Sequence, residues 1–350
     1  MRQFRNDYSE GAAPQILQAL VDTNYEQTVG YTDGDPHCEH ARELIRQAVG
    51  RDDVDVEFCI GGTSTNVIGV TGMLRDWEGV ICTKDGHINV HETGAIAATG
   101  RTVLPTQDAD GFLSPDEAEK VYQFQMSTGR HMTRPAMIYI TNATEFGGVW
   151  TKAKFDAICD WARSHELRIF LDGARLASAL TSEGNDLSLR HIAERVDAFY
   201  LGGTKNGMLF GEAMVIADPR LKESFPFLQK ERGGLMAKGR LLGVQFEAAF
   251  EQPADGSEVL YWKLARQANA CAIRLRDGMV KLGFPVYLPS TSNQQFFVVE
   301  PAVADAFEKA VGTETFAVLP DGKRAIRFVC SWATKPEDVD ELLDFAKMLA

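Results

Sequence analysis

Apolar residues come along this chain in short, regular bursts. Between residues 54 and 217, brief apolar runs alternate with longer segments whose apolar positions recur at the helical period. VDVEFCI (54–60), GVICT (79–83), TVLP (102–105), AMIYIT (136–141), LRIFLD (167–172) and DAFYLG (197–202) have the length and texture of strands. STNVIGVTGMLRDW (64–77) and TKAKFDAICDWARSHE (151–166) read as helices between them. Strands alternating with helices predict a mixed, mostly parallel sheet with both faces covered. After PADG (253–256) the texture changes. A long helix over about 257–282 leads to FPVYL, QQFFVVE and RAIRFVCSWA, and the chain closes on the helix KPEDVDELLDFAKMLA. The expectation is an α/β protein with a large domain over 25–250 and a small α+β domain formed by 1–24 and 251–350.

Composition narrows the partners. A formal net charge of −13 and no long basic run argue against nucleic acid or an anionic membrane surface. No apolar stretch approaches the roughly 20 residues of a membrane span. MRQFRNDYSEG at the start lacks the apolar core of a signal peptide. Six scattered cysteines without a CxxC pair suit a reducing cytoplasm.

Four features fall at or beside predicted strand ends, where α/β proteins build ligand sites. FCIGGTSTNV (58–67) runs from a strand through Gly61, Gly62, Thr63 and Ser64 into a helix. Its glycines admit a close backbone approach, and the first helical amides suit an anion. No Gly-Lys-Ser/Thr follows, so this is not a P-loop. The alternative is a Gly-rich helix start with nothing bound. IFLDGARL (169–176) ends an apolar strand on Asp172, a costly place for a carboxylate unless it meets a cation. Taken alone, a local ion pair with Arg175 would satisfy it. GGTKNG places Lys205 in a tight turn between apolar runs, where lost solvation lowers an ammonium's pKa and makes the amine a nucleophile. GHINVHETGA (86–95) spaces His87 and His91 four apart on a possible helix face, suited to stacking and proton transfer. Zinc fits less well there: the order is HxxxHE, with no third ligand, so no metal is expected. The bland alternative is a polar helix face.

An anion cradle, a buried carboxylate and a reactive amine are the three handles of pyridoxal 5′-phosphate: its phosphate, ring nitrogen and aldehyde. Asp172 and Lys205 lie 33 residues apart, enough for a helix and a strand between neighbouring sites.

GGTSTN, HINVHETGA, LDGARL, GGTKNG and AIRFVCSWAT together resemble the low-specificity threonine aldolases and β-eliminating lyases, which are fold-type I pyridoxal-phosphate enzymes. TKNG and RFVCSWAT bring the resemblance nearest to the phenylserine-aldolase-like branch. The resemblance implies a fold-type I large domain, with Lys205 as the Schiff-base lysine and Asp172 as the partner of the ring nitrogen. His87 matches the imidazole that stacks on the ring. Gly62, Thr63 and Ser64, with Thr204, match the phosphate holders. Arg175 and Arg327 match arginines that orient the cofactor O3′ region or the substrate carboxylate. Ser9 falls where the family has a serine near that carboxylate, and Lys238 matches a lysine that reaches a phosphate across a subunit boundary. The chain is then expected to form a homodimer or homotetramer with its site at the interface.

One segment departs from the family pattern. Threonine aldolases carry NTHxG after a mid-chain strand, whereas ITNATEFGG (140–148) has Glu145 at the histidine's position. The implied reaction is retro-aldol cleavage of a β-hydroxy-α-amino acid to glycine and an aldehyde. Candidates for the base that takes the β-hydroxyl proton are His87, His91 or a water held by Glu145. A β-eliminating lyase or an aminotransferase would use the same lysine, aspartate and arginine. Two readings stand further off. One is a metal-dependent hydrolase built on YTDGDPHCEH (31–40); the other is a protein that binds pyridoxal phosphate without turnover.

Overall fold

The computed structural model describes all 350 residues. Seven strands form the main sheet: β1 (Asp55–Cys59), β2 (Glu78–Cys82), β3 (Thr102–Pro105), β4 (Arg134–Thr141), β5 (Arg168–Asp172), β6 (Ala198–Gly202) and β7 (Glu212–Ile216). Their spatial order is β1-β7-β6-β5-β4-β2-β3. Pairings from β6 across to β3 are parallel, and β7 runs antiparallel to both β6 and β1. Chain length explains the reversal. Only residues 203–211 separate β6 from β7, too few for the crossover of a dozen or more residues that a parallel neighbour needs. The all-buried β7 gives no alternation that would reveal its direction in sequence.

Alternate side chains of each strand feed two apolar layers. Ile169 and Leu171 of β5 join Phe199, Leu201 and Val215 on one face. Phe170 joins Tyr139, Tyr200 and Met214 on the other. Helix Gly62–Met73 lies against this second face so closely that a Cβ on Gly69 would sit 2.7 Å from Met214 Cε. Asp172 follows Phe170 by two positions and therefore points to the same side.

A second, antiparallel sheet has the order β8-β10-β9, from β8 (Gln294–Val299), β9 (Glu314–Val318) and β10 (Arg324–Val329). Helices Leu260–Lys281, Pro301–Val311 and Pro336–Lys347 bury Cys271, Leu275, Phe307 and Leu342 against Phe297 and Phe328. Phe4 completes this core, its backbone bonded to Val311 and Val329. Ala12, Ala13 and Ile16 instead join the core of the main sheet. FPVYL forms no strand; Val286 alone makes a bridge, to Phe297. The third strand is ETFAV, which is half exposed and lacks a clean alternation.

Residues 31–40 disperse rather than converge. Asp35 accepts the amides of His37 and Cys38 and caps helix Pro36–Val49, with Pro36 in its first turn and Gly50 closing it at φ 72°. Asp33 and Glu39 pair with Arg42, Cys38 is buried in the core, and His37 and His40 bind Glu247. No cluster of three or more His, Cys, Asp or Glu side chains has a metal-holding arrangement anywhere in the chain. No helix is long and apolar enough to cross a membrane.

Candidate active site

The segments following the carboxyl ends of β1, β2, β4, β5 and β6 enclose a cavity of about 510 Å³, closed on one side by Glu314, Phe316 and Arg327 from the second sheet. Ten of the residues singled out in the sequence line it: Gly62, Thr63, His87, His91, Glu145, Asp172, Arg175, Thr204, Lys205 and Arg327. Ser64, Ser9 and Lys238 do not. Ser64 lies one residue further along its helix, with its hydroxyl towards Gly234. Ser9 bonds Asn6 at the surface, while its neighbour Tyr8 reaches the wall. Lys238 is exposed in a left-handed conformation at φ 65°, its amide bonded to Gly30.

Lys205 stands in the reversal between β6 and β7. Its Nζ lies 5.9 Å from the centre of the Tyr8 ring. Burial and the Arg175 charge push its ammonium below the ordinary value, against the opposing pull of Asp7, Asp172 and Glu212. The turn is held by close backbone packing. Gly203 N–H donates to Gly211 O at 3.0 Å and to Glu212 Oε2 at 2.8 Å, and a Cβ on Gly203 would lie 2.5 Å from Gly211 O. Burial also pushes the Glu212 carboxyl up. Thr204 Oγ1 accepts the Gly211 amide, which fixes the residue before the lysine.

Asp172 does not pair with Arg175. Its Oδ2 accepts Tyr139 Oη at 2.5 Å and Asn66 Nδ2 at 3.0 Å, and its Oδ1 accepts the Ala174 amide at 3.0 Å. Burial alone would raise this carboxyl. The charge of His87 and hydrogen bonds from Tyr139, Tyr200 and Ala174 overcome it and hold Asp172 below the usual carboxylate value. Burial and the Asp172 charge raise both tyrosines well above ordinary phenols, so they remain donors. The result is a carboxylate kept charged at the end of an apolar strand.

Arg175 meets Asp7 instead. Nε and Nη2 grip the two carboxylate oxygens at 2.7 and 3.0 Å, a bidentate pair that also draws Asn293 Nδ2 at 2.9 Å. Arg327 is less satisfied. Nη2 meets Glu314 at 2.9 Å and Nη1 meets Gln294 at 3.4 Å, while buried Nε has no partner. Burial and the nearby Arg175 charge lower its pKa, so an incoming carboxylate would be strongly favoured here.

His87 begins the short helix His87–Val90 and lies 5.5 Å, ring centre to ring centre, from His91. Burial, with His87, Arg327 and Lys205 close by, holds the His91 imidazole below its usual pKa. Glu145 accepts the His87 amide at 3.1 Å and Thr141 Oγ1 at 2.9 Å. Burial, reinforced by the Asp172 charge, pushes it up to about 7. At the opposite wall, Gly61 precedes helix Gly62–Met73 without a side-chain cap, leaving the first amides for a ligand. A Cβ on Gly61 would enter open space, and one on Gly62 would approach Tyr200 Oη at 3.3 Å. An uncapped helix start, a carboxylate at Asp172 held below its usual pKa and a buried lysine whose pKa is lowered fit the three handles of pyridoxal phosphate. Its phosphate would fit Gly62, Thr63 and Thr204, its ring nitrogen Asp172, and its aldehyde Lys205.

Residues 3–302 match the family described as β-eliminating lyase. The chain belongs to that family. A low-specificity L-threonine aldolase from a Pseudomonas species is 28% identical over 97% of this chain and 96% of its own length. One from Pseudomonas aeruginosa is also 28% identical, with the same coverage. The solved structure of Leishmania major threonine aldolase superposes with a TM-score of 0.94 at 40% identity, covering 100% of this chain and 99% of that one. Members of this family are pyridoxal-phosphate enzymes. Several residues in and behind this cavity went unremarked in sequence: Asp7, Asn66, Glu92, Tyr139, Tyr200, Glu212 and Glu314. None carried a signal of its own in the sequence; Tyr139 joins Asp172 only through the strand register that pairs Thr141, two positions on, with Asp172.

Proposed function

We propose that the protein is a pyridoxal-phosphate-dependent carbon–carbon lyase that cleaves a β-hydroxy-α-amino acid to glycine and an aldehyde in this cavity. The observation that carries the reading is the meeting of Lys205, a charged Asp172 and an under-satisfied Arg327 around one space. Pyridoxal phosphate, when bound, supplies an aldehyde that bonds an amine and a ring that accepts the electrons released as Cα–Cβ breaks. The protein's own residues do the rest. Lys205 offers an amine whose pKa burial and Arg175 lower, and Asp172 would hold a proton at the ring nitrogen. Arg327 takes the substrate carboxylate, which fixes the rotation about Cα and so selects the bond to be broken. Arg175, paired with Asp7 through Nε and Nη2, lines the same cavity. The three candidate bases are His87, His91 and a water held by Glu145; the Glu145 carboxyl itself, pushed up to about 7, is matched to neutral pH and suits taking the β-hydroxyl proton, directly or through that water.

Phe316 and Ala143 line the cavity near Glu145 and give an apolar surface for the aldehyde portion, which supports phenylserine-type as well as threonine-type substrates. Exposed Val21, Tyr25, Val29 and Tyr31, close to the Gly30–Lys238 contact, support association of two or more copies with Lys238 turned towards a neighbour. Six free, buried cysteines fit a cytoplasmic setting. The separate apolar core around Phe4, Phe297 and Phe328 supports a small domain built from the first residues and the last third of the chain, while Ala12, Ala13 and Ile16 of 1–24 and Tyr261, Leu264 and Ala265 of 251–350 pack in the main-sheet core instead.

The experiment is aldehyde release, with added pyridoxal phosphate, from L-threonine, L-allo-threonine and the phenylserine isomers, with Lys205→Ala as control. Release by the wild type and none by Lys205→Ala, which should also lose the borohydride-fixable cofactor, is expected. Ammonia release without aldehyde would move the reaction to β-elimination, and amino-donor-dependent keto-acid formation to transamination.

A further inference from the structure

One buried carboxylate behind the cavity wall, in contact with the lining residues His87 and Asn66, has no part in the steps above. The Glu92 side chain has no exposed surface, and its Oε1 lies 2.7 Å from His87 Nδ1 and 2.7 Å from Asn66 Nδ2. The same Asn66 nitrogen lies 3.0 Å from Asp172 Oδ2. An amide nitrogen carries two hydrogens and no acceptor site, so Asn66 donates one hydrogen to each carboxylate. Glu92 Oε1 is therefore an acceptor, and Oε2 has no partner at all. A carboxylate this deeply buried needs every donor within reach, and besides Asn66 the donor present is His87 Nδ1–H.

We propose that Glu92 is a positioning residue that fixes the hydrogen of His87 on Nδ1 and thereby presents Nε2 as the imidazole atom facing the cavity. The arrangement also joins the two sides of the site. His87–Glu92–Asn66–Asp172 is one continuous chain of hydrogen bonds, so the orientation of the imidazole and that of the strand-end carboxylate are set by the same amide. Asn66 is uncharged and fully buried, which lets it bridge two carboxylates without neutralising either. A second tether, the His87 amide to Glu145, fixes the backbone but leaves the ring free to turn. Glu92 supplies the restraint on the ring itself. The catalytic consequence rests on the reading of the cavity as a lyase site; the hydrogen-bond assignment does not.

The test uses the full-length protein labelled with 15N-histidine and loaded with pyridoxal phosphate. The His87 signal is assigned by its loss in His87→Asn, and tautomers are read from the ring nitrogen shifts. In the wild type the neutral ring should carry its hydrogen on Nδ1. Glu92→Gln should keep that tautomer, because its Oε1 can still accept from both donors. Glu92→Ala should lose it. In the aldehyde-release assay, Glu92→Ala should lower kcat by about 10- to 100-fold, the range seen when the carboxylate behind a functional histidine is removed, and Glu92→Gln should recover most of the loss. Circular dichroism confirms that both variants are folded. Persistence of the Nδ1–H form in Glu92→Ala, or equal damage from Gln and Ala, would overturn the proposal. The expected tautomers in a wild type that releases no aldehyde would uphold the Glu92 assignment and overturn the proposed function instead.

Discussion

Replacing Asp7 by Asn tests whether the amino-terminal segment is part of the site. Asp7 is 1% exposed and accepts three donors: Arg175 Nε at 2.7 Å, Arg175 Nη2 at 3.0 Å and Asn293 Nδ2 at 2.9 Å. An asparagine has one oxygen to offer. With that oxygen towards Nε and Asn293, its NH₂ group faces Nη2 donor to donor. Arg175 would then be an uncompensated charge beside Lys205 and Arg327. Removing one partner of a buried pair costs about 3–5 kcal/mol, against roughly 0–1 kcal/mol for an exposed pair. The side chain of Arg175 is 13% exposed, which places this pair near the upper range. The assay is urea unfolding of wild type, Asp7→Asn, Arg175→Met and the double variant, read as a double-mutant cycle. The double variant should be more stable than Asp7→Asn, because the stranded charge is gone. The pH dependence has a definite sign. Asp7 is held below its unfolded value of 3.8 despite burial, chiefly by Arg175 and Lys205. Its contribution is therefore complete above that value and fades as the pH falls through the lower folded pKa. The gap between wild type and Asp7→Asn should stay constant from neutral pH down to about 4 and close below it. A loss under about 1 kcal/mol at pH 7, in the range of surface pairs, would refute the argument. Asp7 also holds the Lys205 pKa up, so the variant should show an unprotonated lysine at lower pH.

Other substitutions probe single contacts. Glu145→Gln should lower kcat by about 10²–10⁴-fold and abolish the rise in kcat with pH that an ionising base near 7 produces; an unchanged pH profile would move the base to His87 or His91. Arg327→Leu should raise KM about 10- to 100-fold, the equivalent of one charge-assisted hydrogen-bonded contact, with a smaller effect on kcat; an unaltered KM would free the substrate carboxylate from this residue. Gly173→Ala would place a Cβ 1.7 Å from the carbonyl oxygen of Tyr200, which no rotamer relieves. It should destabilise by more than the roughly 3 kcal/mol that bounds most single substitutions, and soluble yield measures it.

Six of the seven strands of the large sheet were legible because each announced itself as an apolar run ended by polar or glycine residues; β7, the apolar run after the lysine turn, was not among them. Asp172 and Lys205 were conspicuous because charges at such ends are expensive. Glu145 showed itself through departure from a family motif. Asp7 gave no such sign. It lies in a polar opening segment, and its partner Arg175 is 168 residues away, a distance only the completed fold closes. Glu92 and Asn66 stood within quoted motifs, yet each looked like an ordinary helix-start or helix-face residue. Their meaning arises when helix Gly62–Met73 packs onto the strand that ends in Asp172. The half-exposed β9 was missed for the opposite reason, since an edge strand buries too little for its alternation to show.

The site draws its parts from both extremities of the chain: Tyr8 and Asp7 from the beginning, Arg327 from near the end. That order governs what a ribosome can release in working form. A nascent chain carries Asp172 and Lys205 long before Arg327 leaves the tunnel. At about 5–20 residues per second the interval is of the order of ten seconds. During it the cradle, the lysine turn and the strand-end carboxylate can assemble, while the guanidinium from β10 is still missing. Under the proposed function, a chain stopped before β10 would carry the strand-end carboxylate and the lysine turn but lack the guanidinium of Arg327.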